Sequence, residues 1–512
     1  MKRTFIKMLP LVAAVLLATS CSKDSNDDSN VVIDNPIDDT PNTEVVVDNQ
    51  VKMVPFSITV NKNTLSKASL ESESSLQQVF ETGDQLEIRD KSTHTTLVTL
   101  DLTEGAGKIS ATFSKEISEG TLINGTKYDV VLTSTVHTEC GREWSVVKTC
   151  TSLQQAFQDY GYLTSELTYG EQTSIQLVQN TVFLRVKPFY GTTTATINGK
   201  PYTAQSDGVI YLAVASGTPI ESNLFSGTKI VTNALGKVVK NIDRSDCIAG
   251  AFSVAAGKQI FFSKGNLQYN VDDEKWRFAE HQYDYVGGTV DGNHVGNVMD
   301  CTNDNLDGPW IDLFGWVGES SKLNAAPEMY GVSVSVSNEH YGTDETESLK
   351  SDWGNVPGIG KGWSTLSKAQ WEYLLGTSDA PKNNNGLGTI TIGSNTYFGL
   401  IILPDGYTKP ADVNDDFVPG KKGHTYSERD WTAMESAGAV FLPAAGYREG
   451  SFVCEAGSYG LYWSSSAGGD EGYDGDNEGS VSFVNFQSNY FEPAEIDHVR
   501  RFGLSVRLVR SL

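Results

Sequence analysis

The stretches GAVFLPAAGYREG (Gly438–Gly450), GLYWSSS (Gly460–Ser466) and FGLSVRLVRSL (Phe502–Leu512) decide how this chain is read. Between Ser466 and Phe502 the residues are mostly Gly, Asp, Glu, Tyr, Asn, Ser, Gln, His and Arg, broken by Val481, Phe483, Val484, Phe486 and Val499. Polar residues of these types gain little from burial and favour turns, whereas spaced apolar residues anchor strands. The apolar blocks therefore predict strands that hold up a polar surface. Trp463 and Phe502 are expected in the core. Asp470, Asp474, Asp476, Asn485, Gln487, Asn489, Tyr490, Glu495 and His498 are expected on an exposed ligand-binding face.

Working upstream, Ser364–Leu375 predicts a helix, with Ser364 and Ser367 as candidate N-caps and Leu366, Trp371, Leu374 and Leu375 at helical spacing. The following TITIGSNTYFGLIILPDGY predicts two strands joined through Gly393-Ser394. Trp276, Trp310 and Trp316 lie at short intervals in aromatic- and Gly-rich text, which suits core packing in a loop-rich fold. A sugar-stacking platform is the other reading of those rings.

Three motifs carry a resemblance over about Phe252 to Leu512. WSTLSKAQWEY (Trp363–Tyr373), YWSSS (Tyr462–Ser466) and FGLSVR (Phe502–Arg507) resemble the helix, strand and closing block of the C-type-lectin-like fold. The branch is that of the formylglycine-generating enzymes and the variable proteins of diversity-generating retroelements. The resemblance implies an α+β domain over residues 249–512. In the retroelement family the polar stretch is where adenine-directed mutagenesis writes new residues. A diversified face and a fixed polar face stand level for this chain.

The formylglycine-generating enzymes handle copper and oxygen with a late pair of Cys. Here Cys454 has no second Cys after it, so the oxidase reading falls behind and no enzyme activity is expected. The seven His are scattered, with neither HExxH nor a nucleophile elbow. Asp474-Gly-Asp476-Asn-Glu478-Gly479 opens like a calcium loop, but position twelve is Asn485 where a bidentate Glu is required. Glu492-Pro493-Ala494 only partly matches a lectin sugar-binding triplet. A solvated acidic loop is the first reading, calcium the second, and no cofactor is expected.

The regions before residue 249 read as strand after strand: VKMVPFSITV, QLEIRD, TTLVTLDL, KISATF and KYDVVLTS over residues 51–134, then SIQLVQNTVFLRVKPF and GVIYLAVA over residues 135–248. Asn198-Gly199 sits where a two-residue hairpin wants positive φ. Ser152–Tyr160 is the one short helix expected there. The opening strand and the turn Phe80-Glu-Thr-Gly83-Asp84-Gln-Leu86 resemble the fimbrillin-type adhesins of anaerobic Gram-negative bacteria. The fold class expected is mainly β and multidomain: tandem β-sandwiches followed by the α+β lectin-like domain. Fimbrillin subunits polymerise by strand exchange, which makes a structural fimbrial or tip subunit the runner-up function.

At the N-terminus, Lys2, Arg3 and Lys7 precede an apolar run from Met8 to Ala18 that is too short to cross a bilayer, so residues 1–20 read as a signal peptide. Cys21 after small residues resembles a bacterial lipobox, which implies a lipidated first residue. Residues 21–50 carry eight acids against one Lys and few large apolar side chains, the composition of a disordered tether. Lys23-Asp24 and Asp27-Asp28 resemble the signal that exports lipoproteins to the outer face of the outer membrane. A net charge of −25 without a basic run argues against nucleic acid as a partner. Cys140 and Cys150 are close enough in sequence to staple a hairpin, although pairing is not fixed by spacing. The expectation is a lipid-anchored protein of the outer membrane, displayed at the cell surface, that binds an extracellular glycan or protein.

Overall fold

Alternating apolar residues open the fold as β1 (Met53–Lys62), β2 (Asp84–Arg89), β3 (Thr96–Glu104), β4 (Ser110–Ser118) and β5 (Lys127–Ser134). A short β6 (Lys148–Cys150), helix α1 (Leu153–Tyr160), β7 (Leu163–Thr168) and β8 (Ser174–Gln179) follow. In β1, Phe56, Ile58 and Val60 are buried while Ser57 and Thr59 are less so, the period of two that a pleated strand imposes. The computed structural model describes residues 51–62, 79–142, 144, 147–231, 239–270, 273–286, 289–290, 293–294, 310–316, 352–377, 382, 384–414, 417, 422–449, 452–467, 480–499 and 502–512. Cys21, Cys301, Asp470, Asp474 and Asp476, with the signal, the tether and the acidic loop, lie outside those residues.

The strands hydrogen-bond in the order β1-β4-β3-β2-β5-β7-β8, and β8 returns parallel to β1 so that the sheet closes. Closure removes both sheet edges, which are otherwise templates for unwanted pairing. The ring thus takes its last strands from beyond residue 134, where the sequence reading ends its first region. Leu167, Ile175 and Leu177 belong to the same core as Leu86, Phe113 and Val130.

A second sheet runs β15-β9-β12-β6, from β9 (Thr181–Lys187), the β10 (Thr194–Ile197) and β11 (Lys200–Thr203) ribbon, β12 (Ile210–Ala215), the β13 (Thr218–Ile220) and β14 (Lys229–Val231) ribbon, and β15 (Val239–Asp243). The β10–β11 turn has Asn198 at φ 49° and Gly199 at φ 73°, as the Asn-Gly pair predicts. Helix α1 starts at Ser152, whose hydroxyl accepts from Gln155 N at 3.1 Å, and lays Leu153, Ala156 and Phe157 on this sheet beside Phe183 and Tyr211. Cys140 and Cys150 are not bridged. Both are buried free thiols: Cys150 is in the ladder with β12, and Cys140 lies against the ring with Sγ 4.0 Å from Leu132 O. Burial pushes each thiol up to about 12.

The C-terminal region mixes sheets with α2 (Lys368–Leu375) and α3 (Glu428–Ser436). Of the two candidate caps, Ser367 is the one used, in a reciprocal capping box with Gln370. The strands Asn385–Ile392 and Asn395–Ile402 pair through the expected Gly393-Ser394 turn. Helix α3 is absent from the sequence expectation because its apolar stripe is only Trp431 and Met434. Trp276 and Trp316 are core, as expected; Trp310 is half-buried, with the Arg277 guanidinium 3.5 Å from its ring centre. The architecture is mainly β and multidomain, with separate cores, and one apolar cluster runs from Val182 and Leu212 through Trp276 to Trp463 and Leu504. No helix among the described residues is long and apolar enough to cross a membrane.

Candidate functional site

The polar face is carried by a five-stranded sheet in the order Leu313–Phe314, Leu504–Ser505, Gly460–Ala467, Ser480–Gln487, Tyr490–Val499. Its middle strand is fixed from both sides. Trp463 is 1% exposed and donates Nε1–H to Phe314 O at 2.6 Å, and Trp316 donates to Ser464 O at 2.8 Å. On the other face Tyr462 donates its hydroxyl to Pro443 O at 2.8 Å and accepts from Asn266 Nδ2 at 3.2 Å. Phe502 is half-buried against this core, its ring 6.0 Å from that of Tyr447.

Within the strand Ser480–Gln487 both Ser482 and Asn485 are buried, which corrects the reading of Asn485. Val481 and Phe483 join the cluster of Trp463, whereas Val484 and Phe486 join that of Trp371 and Leu374 on α2. With both faces covered, and with bulges against the next strand on either side of Ser482 and Phe483, simple in-and-out alternation fails. Asn485 is consequently 8% exposed, and its Nδ2 donates to Glu495 Oε2 at 2.6 Å. Glu495 is half-buried in that bond.

The hairpin's outer end does face solvent. Gln487 pairs with Tyr490 across the two-residue turn Ser488-Asn489; Gln487 is half-buried, Ser488 and Asn489 are exposed, and Tyr490 keeps 39% of its surface open. The backbone of His498 lies opposite Val481 in the ladder, away from this tip, and its side chain is outside the described residues. The structure therefore gathers Gln487, Asn489 and Tyr490 at one end and withdraws Asn485 into the sheet.

Beneath the sheet is a buried polar relay that the face-first reading missed. Arg507 is fully buried and donates to Gln282 Oε1 at 2.8 Å, while Gln282 Nε2 donates to Glu435 Oε1 at 3.0 Å and to Ala439 O. Burial pulls the Arg507 guanidinium down to about 10, and Tyr462 and Glu435 oppose it. Burial raises Glu435, which sits at the far end of the relay. The signal was present in FGLSVR, where Arg507 interrupts an apolar block.

A second polar cluster tethers α1 to the ring. Lys62 Nζ donates to Val79 O at 2.8 Å and to Asp84 Oδ2 at 3.4 Å, under the Phe80 ring. Burial lowers the Lys62 ammonium and raises the Asp84 carboxyl, each against the pull of its partner. His137 faces Asp159 of α1 at 2.9 Å and Glu81 at 3.3 Å, and Gln158 also donates to Glu81. The cavity between them holds only about 40 Å³, room for a water rather than a substrate. Among the described residues no group of three or more His, Cys, Asp or Glu is placed to hold a metal ion.

No protein-family model matches the chain, and no curated protein matches it. Among solved structures it is similar to a fimbrial assembly protein from Parabacteroides distasonis, at 7% identity and a TM-score of 0.20, over 44% of this chain and 99% of that one. A score that low leaves function to be argued from the residues.

Proposed function

We propose that the chain is a lipid-anchored surface protein that binds an extracellular glycan or protein through the end of its C-terminal hairpin, without performing chemistry on it. One observation carries the reading: a hairpin tip of Gln487, Ser488, Asn489 and Tyr490 projects from a strand locked between two apolar clusters. Tyr supplies a flat amphipathic contact at low entropy cost, and Ser, Asn and Gln supply adaptable hydrogen bonds. A rigid base reduces what ordering the site costs on binding. The lectin-like resemblance and the lipobox-like Cys21 support the same reading, as does the tether composition of residues 21–50.

The test is saturable binding of the full chain to arrayed glycans and to intact host and bacterial cells, compared with Tyr490→Ala. Retention of full binding by the variant would move the site elsewhere.

A further inference from the structure

The chain carries net charge −25, yet one cleft has the opposite sign. It lies between the β13–β14 ribbon and β15, the outer strand of the second sheet, and encloses about 390 Å³. That volume is in the range of small-molecule sites. Its walls combine Ile220, Phe225 and Ile230 with Lys229, Lys240, Arg244 and Arg510. Ile230 keeps 64% of its surface exposed, and the Lys229 ammonium lies 4.6 Å from the Phe225 ring centre.

Asp243 is the one carboxylate in the lining, and although its charge reaches Arg244 it is already engaged by other partners. It pairs with Lys187 at 3.0 Å and accepts from Ser245 Oγ at 2.7 Å and Ser245 N at 3.0 Å. Arg244 Nε donates to Leu224 O at 2.8 Å, while Arg510 donates to Asp243 O at 3.1 Å and to Lys361 O. These acceptors are neutral carbonyls. Among the described residues none of Lys229, Lys240, Arg244 and Arg510 makes an ion pair. Burial lowers the Arg244 guanidinium, and the nearby Arg510 charge adds to that shift while Cys247 and Asp243 oppose it. Two guanidinium groups held close in a partly desolvated wall, with Asp243 already paired to Lys187, leave an excess of positive charge that an anion would balance.

We infer that this cleft binds an anionic amphiphile, with a carboxylate or phosphate head against Arg244, Arg510 and Lys240 and an apolar body along Ile220, Phe225 and Ile230. The site is separate from the hairpin tip and does not depend on the function proposed there. Charge selects the head group, and the apolar wall distinguishes such a ligand from a free inorganic anion.

Titration calorimetry of the full chain with octyl phosphate, octanoate, octyl glucoside and inorganic phosphate, all below micelle-forming concentration, tests it. One site is expected, with octyl phosphate or octanoate binding at least about tenfold tighter than both octyl glucoside and inorganic phosphate. Which of the two binds better identifies the head group. Added salt should weaken the interaction, because partly exposed charges are screened. Lys229→Gln with Lys240→Gln should cost octyl phosphate roughly tenfold while leaving the melting temperature unchanged, since Lys229 is exposed and Lys240 half-exposed. Equal affinity for octyl phosphate and octyl glucoside, or octyl phosphate affinity unchanged by the double substitution, would overturn the inference. Alanine substitution of Gln487, Asn489 and Tyr490 should leave this binding intact.

Discussion

Single side chains divide into those that hold the scaffold and those whose ionisation the scaffold shifts. Trp463 fills the centre of the C-terminal sheet and satisfies its own N–H on Phe314 O, so Trp463→Ala should cost about 3–5 kcal/mol and lower the melting temperature. Asp352 shows how burial can outweigh hydrogen bonding. It accepts from Gly354 N at 2.7 Å and from Thr365 N at 2.9 Å, yet desolvation pushes its carboxyl up to about 6. The folded chain therefore holds that proton more tightly than the unfolded chain, for which an ordinary Asp titrates near ~4. The resulting stabilisation is complete below pH ~4 and is lost as pH rises through about 6. Asp352→Asn should remove this dependence, so chemical denaturation of the two proteins from pH 4 to 7 should show wild type losing on the order of 3 kcal/mol relative to the variant. A parallel pH dependence in both would contradict it. Trp463 was readable as core because a Trp between strand-forming residues has few other places to go. Asn485 was misread because it lies opposite Leu461, on the face that holds Phe483 and Trp463, and nothing in the local sequence announces that this face is covered.

At the level of elements, turns and caps were the most legible features, because their chemistry is local. Asn198-Gly199 and Ser367 with Gln370 adopt the geometry their residue types favour. Closure of the first ring was not legible. It joins β1 to β8 across more than a hundred residues, and its period-two pattern is equally consistent with an open sandwich. Helix α3 escaped for the opposite reason, since a stripe of Trp431 and Met434 is too short to establish a helical period. Gly460 exposes a tight contact between elements: a Cβ there would sit 1.8 Å from Phe486 Cζ. Gly460→Ala should therefore splay the pairing of Gly460–Ala467 with Ser480–Gln487 and destabilise the region by roughly 1–3 kcal/mol, measured as an earlier thermal transition. An unchanged melting curve would show that Phe486 can swing aside without cost.

For the molecule as a whole, composition constrained the class and the resemblances supplied the rest of the expectation. The mainly β architecture follows from the alternation along the chain, whereas the cationic cleft could not be read from a net charge of −25 because Arg244 and Arg510 meet only in the fold. Anchoring is a whole-molecule property too. If acyl chains on Cys21 provide the membrane affinity, Cys21→Ser should leave the precursor uncleaved or release the protein to the soluble fraction, because an acidic tether has no membrane affinity of its own. Unchanged membrane retention would contradict the anchor. The proposed function rests on a hairpin that displays the recognition surface from a strand held between two apolar clusters. Its most direct test is to replace Gln487, Asn489 and Tyr490 together by Ala in the full chain, then measure binding to the cells or glycans that the intact chain retains, with thermal unfolding recorded on the same samples. Binding should be lost while stability changes by less than about 0.5 kcal/mol per site; full binding by the variant would contradict recognition at the hairpin.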